Sequence, residues 1–208
     1  MQETKHITNY RQSLKERIVT TAMSLFVKNG IKAVKMDDIA SQLGISKRTL
    51  YEIYENKEVL LFEGVKQYLE NAKQKMCEFT QANDDVMDIV LYFYRMKNHE
   101  YQVTSPSFYE DIQKYPRVTA YLDGERQKNQ EQQFAFMERG VAEGYFRDDV
   151  NYRVLNHFFE AMGNYVRDHQ LIHQFTSDEL FNNILFVTLR GICTPKGLAK
   201  MQENDAFL

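Results

Sequence analysis

The sequence is poor in the residues that interrupt helices. Among 208 residues there are nine glycines and three prolines, and no segment alternates apolar and polar side chains between turn residues, so strands have little support. Cysteine is scarce too. Cys77 and Cys193 stand far apart and outside any CxxC or Cys/His spacing, a pattern that argues against a disulfide or a zinc site and is read as two buried thiols. No stretch approaches the roughly 18 unbroken apolar residues of a membrane span. The opening MQETKHITNYRQ lacks the apolar core of a signal peptide, so the expected setting is the cytoplasm with no membrane partner. Nucleophile elbow, phosphate-binding loop and metal constellation are all missing. No catalytic residue, cofactor or metal is therefore assigned, and no enzyme activity is expected.

What is present can build a core: 43% of residues are hydrophobic and 13% aromatic. The net charge of −3 looks unsuited to nucleic acid until it is divided along the chain. Residues 1–60 hold ten Lys/Arg against seven Asp/Glu, and the remainder sixteen against twenty-two. The basic part is N-terminal, although a small excess carries no argument by itself.

The periodicity reads as an all-α chain of about nine helices. The first, about 10–28, places Ile18, Ala22, Leu25 and Phe26 on one face and stops at Asn29-Gly30, a helix C-terminal signal. The second, about 36–43, buries Ile39, Ala40 and Leu43; Gly44 ends it, and Ser46 caps a third over about 47–53. Asn56 caps a fourth that runs to about 80. VMDIVLYFYRM is apolar on nearly every face, as in a helix buried among others. Pro106 and Pro116 suit first turns, GVAEGYFRDDVN is a loop, and two helices follow at about 151–172 and 177–193. The tail after Gly197 is expected to fray.

Helices two and three, joined by a tight Gly-containing turn, have the arrangement of a helix-turn-helix, in which the second helix enters the major groove. Ile39, Ala40, Leu43, Ile45, Leu50 and Tyr54 supply the inner anchors. Lys47, Arg48, Thr49, Tyr51 and Glu52 are left on the outer side, the right residue types for guanine edges and phosphate oxygens. Lys57 opens helix four, where a cation is repelled by the helix dipole and has reason to stand only if phosphate is near.

DDIASQLGISKRTLYEIYENKEVLL, with FVKNGIKAVKMDDIA upstream, resembles the N-terminal signature of TetR-type repressors over roughly residues 12–62. The resemblance implies a DNA-binding domain at 1–56 and a helical effector-binding and dimerisation domain at 57–208. It implies operator double-stranded DNA, a small-molecule effector and a second copy of the chain as partners, and release of a palindromic operator when the effector binds. Thr49, Tyr51 and Lys57 fall at its phosphate-contacting or groove-facing positions, and Lys47 and Arg48 at base-reading ones. GVAEGYFRDDVN resembles the loop before the family's dimerising helices, and TSDELFNNILFVTLRGI its last helix. Three departures stand out. Lys35 replaces the usual Thr or Ser cap of helix two, a loss of roughly 1 kcal/mol if nothing substitutes for it. Asp37 lies where a polar or basic backbone contact is common, and Tyr54 replaces a Phe.

The C-terminal part is less specific. Tyr92, Phe93, Met96, Tyr109, Phe134, Met137 and Phe159 are candidates to line an effector pocket, or equally to fill a core. Leu155, Phe158, Phe159, Met162 and Val166, with Leu180, Ile184, Val187 and Leu189, offer more apolar surface than one partner helix needs and are candidates for a four-helix dimer interface. His169 and His173 stand at i, i+4 without a third ligand, so no metal site is assigned. The competing reading is a helical ligand carrier or protein-binding adaptor that keeps the helix-turn-helix as scaffold.

Overall fold

A computed structural model describes residues 2–203, with side chains from residue 11 onward. The chain is all-α: α1 Gln2–Asn29, α2 Met36–Leu43, α3 Lys47–Ile53, α4 Lys57–Ala82, α5 Val86–Val103, α6 Pro106–Ile112, α7 Pro116–Ala142 and α8 Tyr152–Asp168. A short 3₁₀ turn, Leu171–His173, precedes one continuous run made of α9 Ser177–Leu180, a π-helical stretch Phe181–Phe186 and α10 Val187–Ile192; α11 Pro195–Glu203 closes the described chain. Among the described residues no strand forms, only an antiparallel bridge between Phe146 and Cys193. None of the described helices is long and apolar enough to cross a membrane.

The chain forms two compact units, one of residues 1–73 with 104–122, the other of 74–103 with 123–208. A cut after Asn56 therefore does not follow the packing, because α6 and the start of α7 belong with the helix-turn-helix. In the first unit Ile18, Ala22 and Phe26 of α1 are fully buried with Ile39, Leu50, Leu60, Leu61 and Val118. Gly30 ends α1 at φ 84, and a Cβ there would meet Ser107 Cβ at 2.8 Å. The position thus requires glycine for its dihedral and for the approach of α6.

The second unit packs Val86, Met87, Val90 and Leu91 of α5 against Tyr145 and Phe146 of the α7–α8 loop and Phe186, Leu189, Ile192 and Met201. Two expectations change here. The chain after Gly197 is helical rather than frayed as far as Glu203, with residues 204–208 outside the described part. Gly197 is no stop signal: a Cβ would lie 2.4 Å from the Tyr145 carbonyl, so glycine lets α11 dock, and Lys200 pairs with Asp88 at 3.3 Å and Asp85 at 3.5 Å. Only Cys193 is a buried thiol, pushed up to about 11 by that burial; Cys77 is exposed on α4.

Candidate nucleic-acid interface

The turn between α2 and α3 is built by local chemistry. Gly44 adopts φ 66, ψ 30, its N–H donates to the Ser41 carbonyl at 3.1 Å, and the Ile45 N–H reaches the Ala40 carbonyl at 3.0 Å, closing α2 with the left-handed residue such ends favour. Ser46 then caps α3, its Oγ accepting the Thr49 N–H at 3.0 Å. Leu50 and Ile39 are fully buried, and Tyr54 fills the same core, where burial pushes its phenol up to about 12. Lys35 makes no side-chain cap to the first N–H groups of α2, but from inside the helix the Asp38 carboxylate accepts the Lys35 N–H at 2.8 Å. That is half of a capping box.

With the inner face anchored, the helical period turns Lys47, Arg48 and Tyr51 outward. Tyr51 is 48% exposed, a surface tyrosine rather than a core one. The Thr49 hydroxyl lies 2.8 Å from that of Ser46. Lys47 is ion-paired with Asp37 of α2, and Arg48 Nε donates to Glu52 at 2.8 Å. Four of the five sequence candidates therefore share one helix, with Lys47, Arg48 and Tyr51 exposed on its outer side and Thr49 half-buried beside its cap.

Lys57 is placed differently. Its ammonium donates to the carbonyls of Ile31 at 2.8 Å and Val34 at 2.9 Å, with that of Lys32 at 3.5 Å. Burial lowers its pKa, against the pull of Asp111 and Asp38. The physical reason for a cation at the start of α4 is thus the carbonyl cluster of the α1–α2 loop, and no phosphate is needed to explain it. The same loop is held from α6, where Asp111 accepts the Lys32 N–H.

The seven pocket candidates stand in different surroundings. Tyr109 lies in the first unit. On α5, Phe93 is 42% exposed, Tyr92 is stacked on Phe79 with centroids 4.0 Å apart, and Met96 is half-buried. Phe134 lies under the Arg153 guanidinium at 4.4 Å, Met137 packs on the second core, and Phe159 is half-buried. A half-open cleft of about 170 Å³ between α7 and α8 includes none of them; its walls carry Gln127, Gln130, Gln133, Asn156 and Glu160.

The residues missed by the sequence reading are on the inner face of α5. Tyr94, Asn98 and Tyr101 continue the phase of buried Val90 and Leu91, the two tyrosine rings lie 5.9 and 6.4 Å from Phe181, and burial raises both phenol pKa values. The Asn98 side-chain oxygen is buried without a hydrogen-bond partner among the described residues, a state that costs about 1–3 kcal/mol unless something supplies a donor. The signal was the 3.6-residue phase, which residue type alone overrides.

The dimer candidates separate by exposure. No residue of α8 is buried, and Val154 (63% exposed), Phe158 (46%) and Tyr165 (51%) stand outermost, at i, i+4 and i+11 on one face. Leu155, Phe159, Met162 and Val166 are half-buried beside that stripe. In the last run, Val187 is 57% exposed and Leu189 buried, while Leu180 and Ile184 are half-buried. The π-helical stretch adds a residue between Phe181 and Phe186, both buried, so Leu180, Ile184 and Val187 do not form the single stripe that regular helical spacing would give.

The family model described as bacterial regulatory proteins, tetR family, matches residues 18–63. The uncharacterised HTH-type transcriptional regulator YerO of Bacillus subtilis is 40% identical over 62 residues, 30% of this chain and 22% of that protein, so the match spans less than a quarter of that relative. The HTH-type transcriptional repressor KstR2 of Mycolicibacterium smegmatis is 23% identical over 194 residues, 89% of this chain and 93% of that one. A solved TetR-family transcriptional regulator from Agrobacterium tumefaciens superposes with a TM-score of 0.70 at 18% identity, covering 88% of this chain and all of that one, a likeness of fold.

Proposed function

Since the chain belongs to the tetR family of bacterial regulatory proteins, we propose that it is a transcriptional repressor that holds operator DNA through α2 and α3 and releases it when a small molecule binds the second unit. The observation that carries this reading is α3 itself. It is capped by Ser46, anchored by fully buried Leu50, and presents Arg48, with a side chain 89% exposed, beside Lys47 and Tyr51. A short helix so braced, with cations and a tyrosine outward, suits insertion into the major groove, Arg48 and Lys47 meeting base edges and Thr49 and Tyr51 the backbone.

One such helix reads a short half-site, and a two-fold pair reads a palindrome with half-sites about 34 Å apart. The exposed apolar stripe of α8 and Val187 offer the second copy its seat. For the effector, the inner face of α5 with Tyr94, Asn98 and Tyr101 is the candidate, its buried oxygen calling for a ligand that donates a hydrogen bond. α4 and α7 each contribute chain to both units, a covalent route by which one could bias the other. The ligand acts by preferring the state that does not fit the operator.

The test is fluorescence anisotropy on duplexes enriched from a randomised pool by the full-length protein, with scrambled duplex as competitor at two salt concentrations. Competitor-resistant binding that weakens with salt and is lost in Arg48→Ala supports the regulator reading. Failure of any duplex to outcompete scrambled DNA overturns it and favours a carrier or adaptor.

A further inference from the structure

The reading head carries no net charge. Residues 35–57 hold four cations, Lys35, Lys47, Arg48 and Lys57, and four acids, Asp37, Asp38, Glu52 and Glu55. The basic excess of the N-terminal part lies upstream, where residues 1–34 hold six cations against two acids. Within the head, Asp38 serves the Lys35 N–H and Lys57 serves loop carbonyls. The two cations of the outer face are each matched by a carboxylate, Lys47 by Asp37 and Arg48 by Glu52. Both pairs are solvent-exposed, with side-chain exposures of 62% and 46% in the first and 89% and 59% in the second. Exposed pairs of this kind add little to folding, typically less than about 1 kcal/mol. Asp37 also lies in the first turn of α2, where an acid gains about 0.3–1 kcal/mol from the helix dipole, so fold stability supplies only a modest reason for two acids on this face.

We propose that Asp37 and Glu52 are specificity residues: by holding Lys47 and Arg48 in ion pairs they suppress sequence-independent phosphate binding and leave those cations to base edges. This rests on the regulator reading above. On arbitrary DNA, a phosphate that draws Lys47 or Arg48 away leaves a carboxylate unpaired beside other phosphates, so the gain is offset by repulsion. A guanine need not break the pair. Glu52 engages Arg48 at Nε, which leaves the two terminal NH₂ groups of the guanidinium for O6 and N7. Asp37 and Glu52 thereby lower affinity for wrong sites more than for right ones, with general attraction left to the basic residues upstream.

The experiment compares full-length Asp37→Asn and Glu52→Gln with the parent on a scrambled duplex and on duplexes the parent enriches from a randomised pool, across a salt series. Glu55→Gln serves as control, because Glu55 is exposed and in neither pair but changes net charge equally. Freeing one cation for phosphate should steepen the log–log salt slope on scrambled DNA by about 0.9 and tighten binding on the order of eightfold at about 0.1 M salt. Binding to enriched duplexes should rise less, narrowing the specificity ratio, and Glu55→Gln should change neither slope nor ratio. Unchanged slopes in both variants, or an equal response to Glu55→Gln, would overturn the proposal while the regulator reading stands. If the parent itself prefers no enriched duplex over scrambled DNA, both fall together.

Discussion

The carboxylate of Asp111 accepts the main-chain N–H of Lys32, seventy-nine residues earlier in the chain, at 2.7 Å, and its other oxygen takes the Lys114 ammonium at 2.8 Å. Asp111 is 6% exposed. With Lys57 gripping the carbonyls of Ile31 and Val34, the loop that leads into α2 is held by an anion on its amide side and a cation on its carbonyl side. α2 begins at Met36, so this clamp sets where the helix-turn-helix starts.

Removing the clamp should cost stability in a pH-dependent way. Burial opposes the Asp111 charge, but the hydrogen bonds from Lys114 and the Lys32 N–H, with the charges of both lysines, hold its pKa below the ordinary carboxylate value. A carboxylate depressed in the folded state contributes stability above its unfolded pKa of about 3.9. That contribution fades as pH falls through the lower folded value. Asp111→Ala is expected to lose about 1.5–3 kcal/mol at neutral pH. In urea titrations, the gap between the parent and Asp111→Asn should shrink on acidification below the unfolded pKa. A gap that stays constant through that range would mean the charge is not what matters.

Two glycines of α7 should respond oppositely to alanine. At Gly140 a Cβ would stand 2.2 Å from the ring of Phe146, which is 2% exposed and fixed in the second core. Overpacking there costs about 1–3 kcal/mol. At Gly124 nothing lies within 4 Å, and alanine gains about 0.5–1 kcal/mol of helix propensity. Denaturant melts should give changes of opposite sign, and a stabilised Gly140→Ala would show that the α7–α8 loop is not packed as described.

The helix-turn-helix was legible because its constraints are local. Gly44, Ser46 and Asn56 each act within a few residues of themselves, and the anchors from Ile39 to Tyr54 repeat with the helical period. What was not legible depends on distant chain. Lys57 donates to carbonyls of residues 31 and 34, and α11 is held by Tyr145 and Asp85 from other segments. On α5 the aromatic side chains at 92 and 93 attract attention by type, yet Met87, Val90 and Leu91 set a phase that turns 94, 98 and 101 inward. A π-helical stretch shifts phase without any marker in composition, so Leu189 is core and Val187 is surface.

The two thiols should separate by reactivity. Cys77 is exposed and Cys193 buried, and burial pushes the latter up to about 11, leaving almost no thiolate near neutral pH. A thiol reagent should label one cysteine per native chain and two after denaturation, with Cys77→Ser abolishing the native signal. Two native equivalents would place Cys193 in contact with solvent.

The α8 stripe carries the most consequential prediction, because under the proposed function the reading of a palindromic operator would depend on it. Burying Phe158 against a second copy is worth about 1.5–3 kcal/mol, and a two-fold interface uses the residue twice. Phe158→Glu should therefore weaken the dimer by roughly a hundredfold to ten-thousandfold, enough to give the monomer mass in light scattering at micromolar concentration. Phe93→Glu is the control: it alters an exposed phenylalanine, 42% accessible, on α5 rather than α8, and should keep the parent mass. Operator affinity should fall with the dimer in the first variant and hold in the second. A Phe158→Glu protein that stays dimeric would remove α8 from the interface, and with it the simplest account of why a helix so apolar on one face buries none of its side chains within the chain.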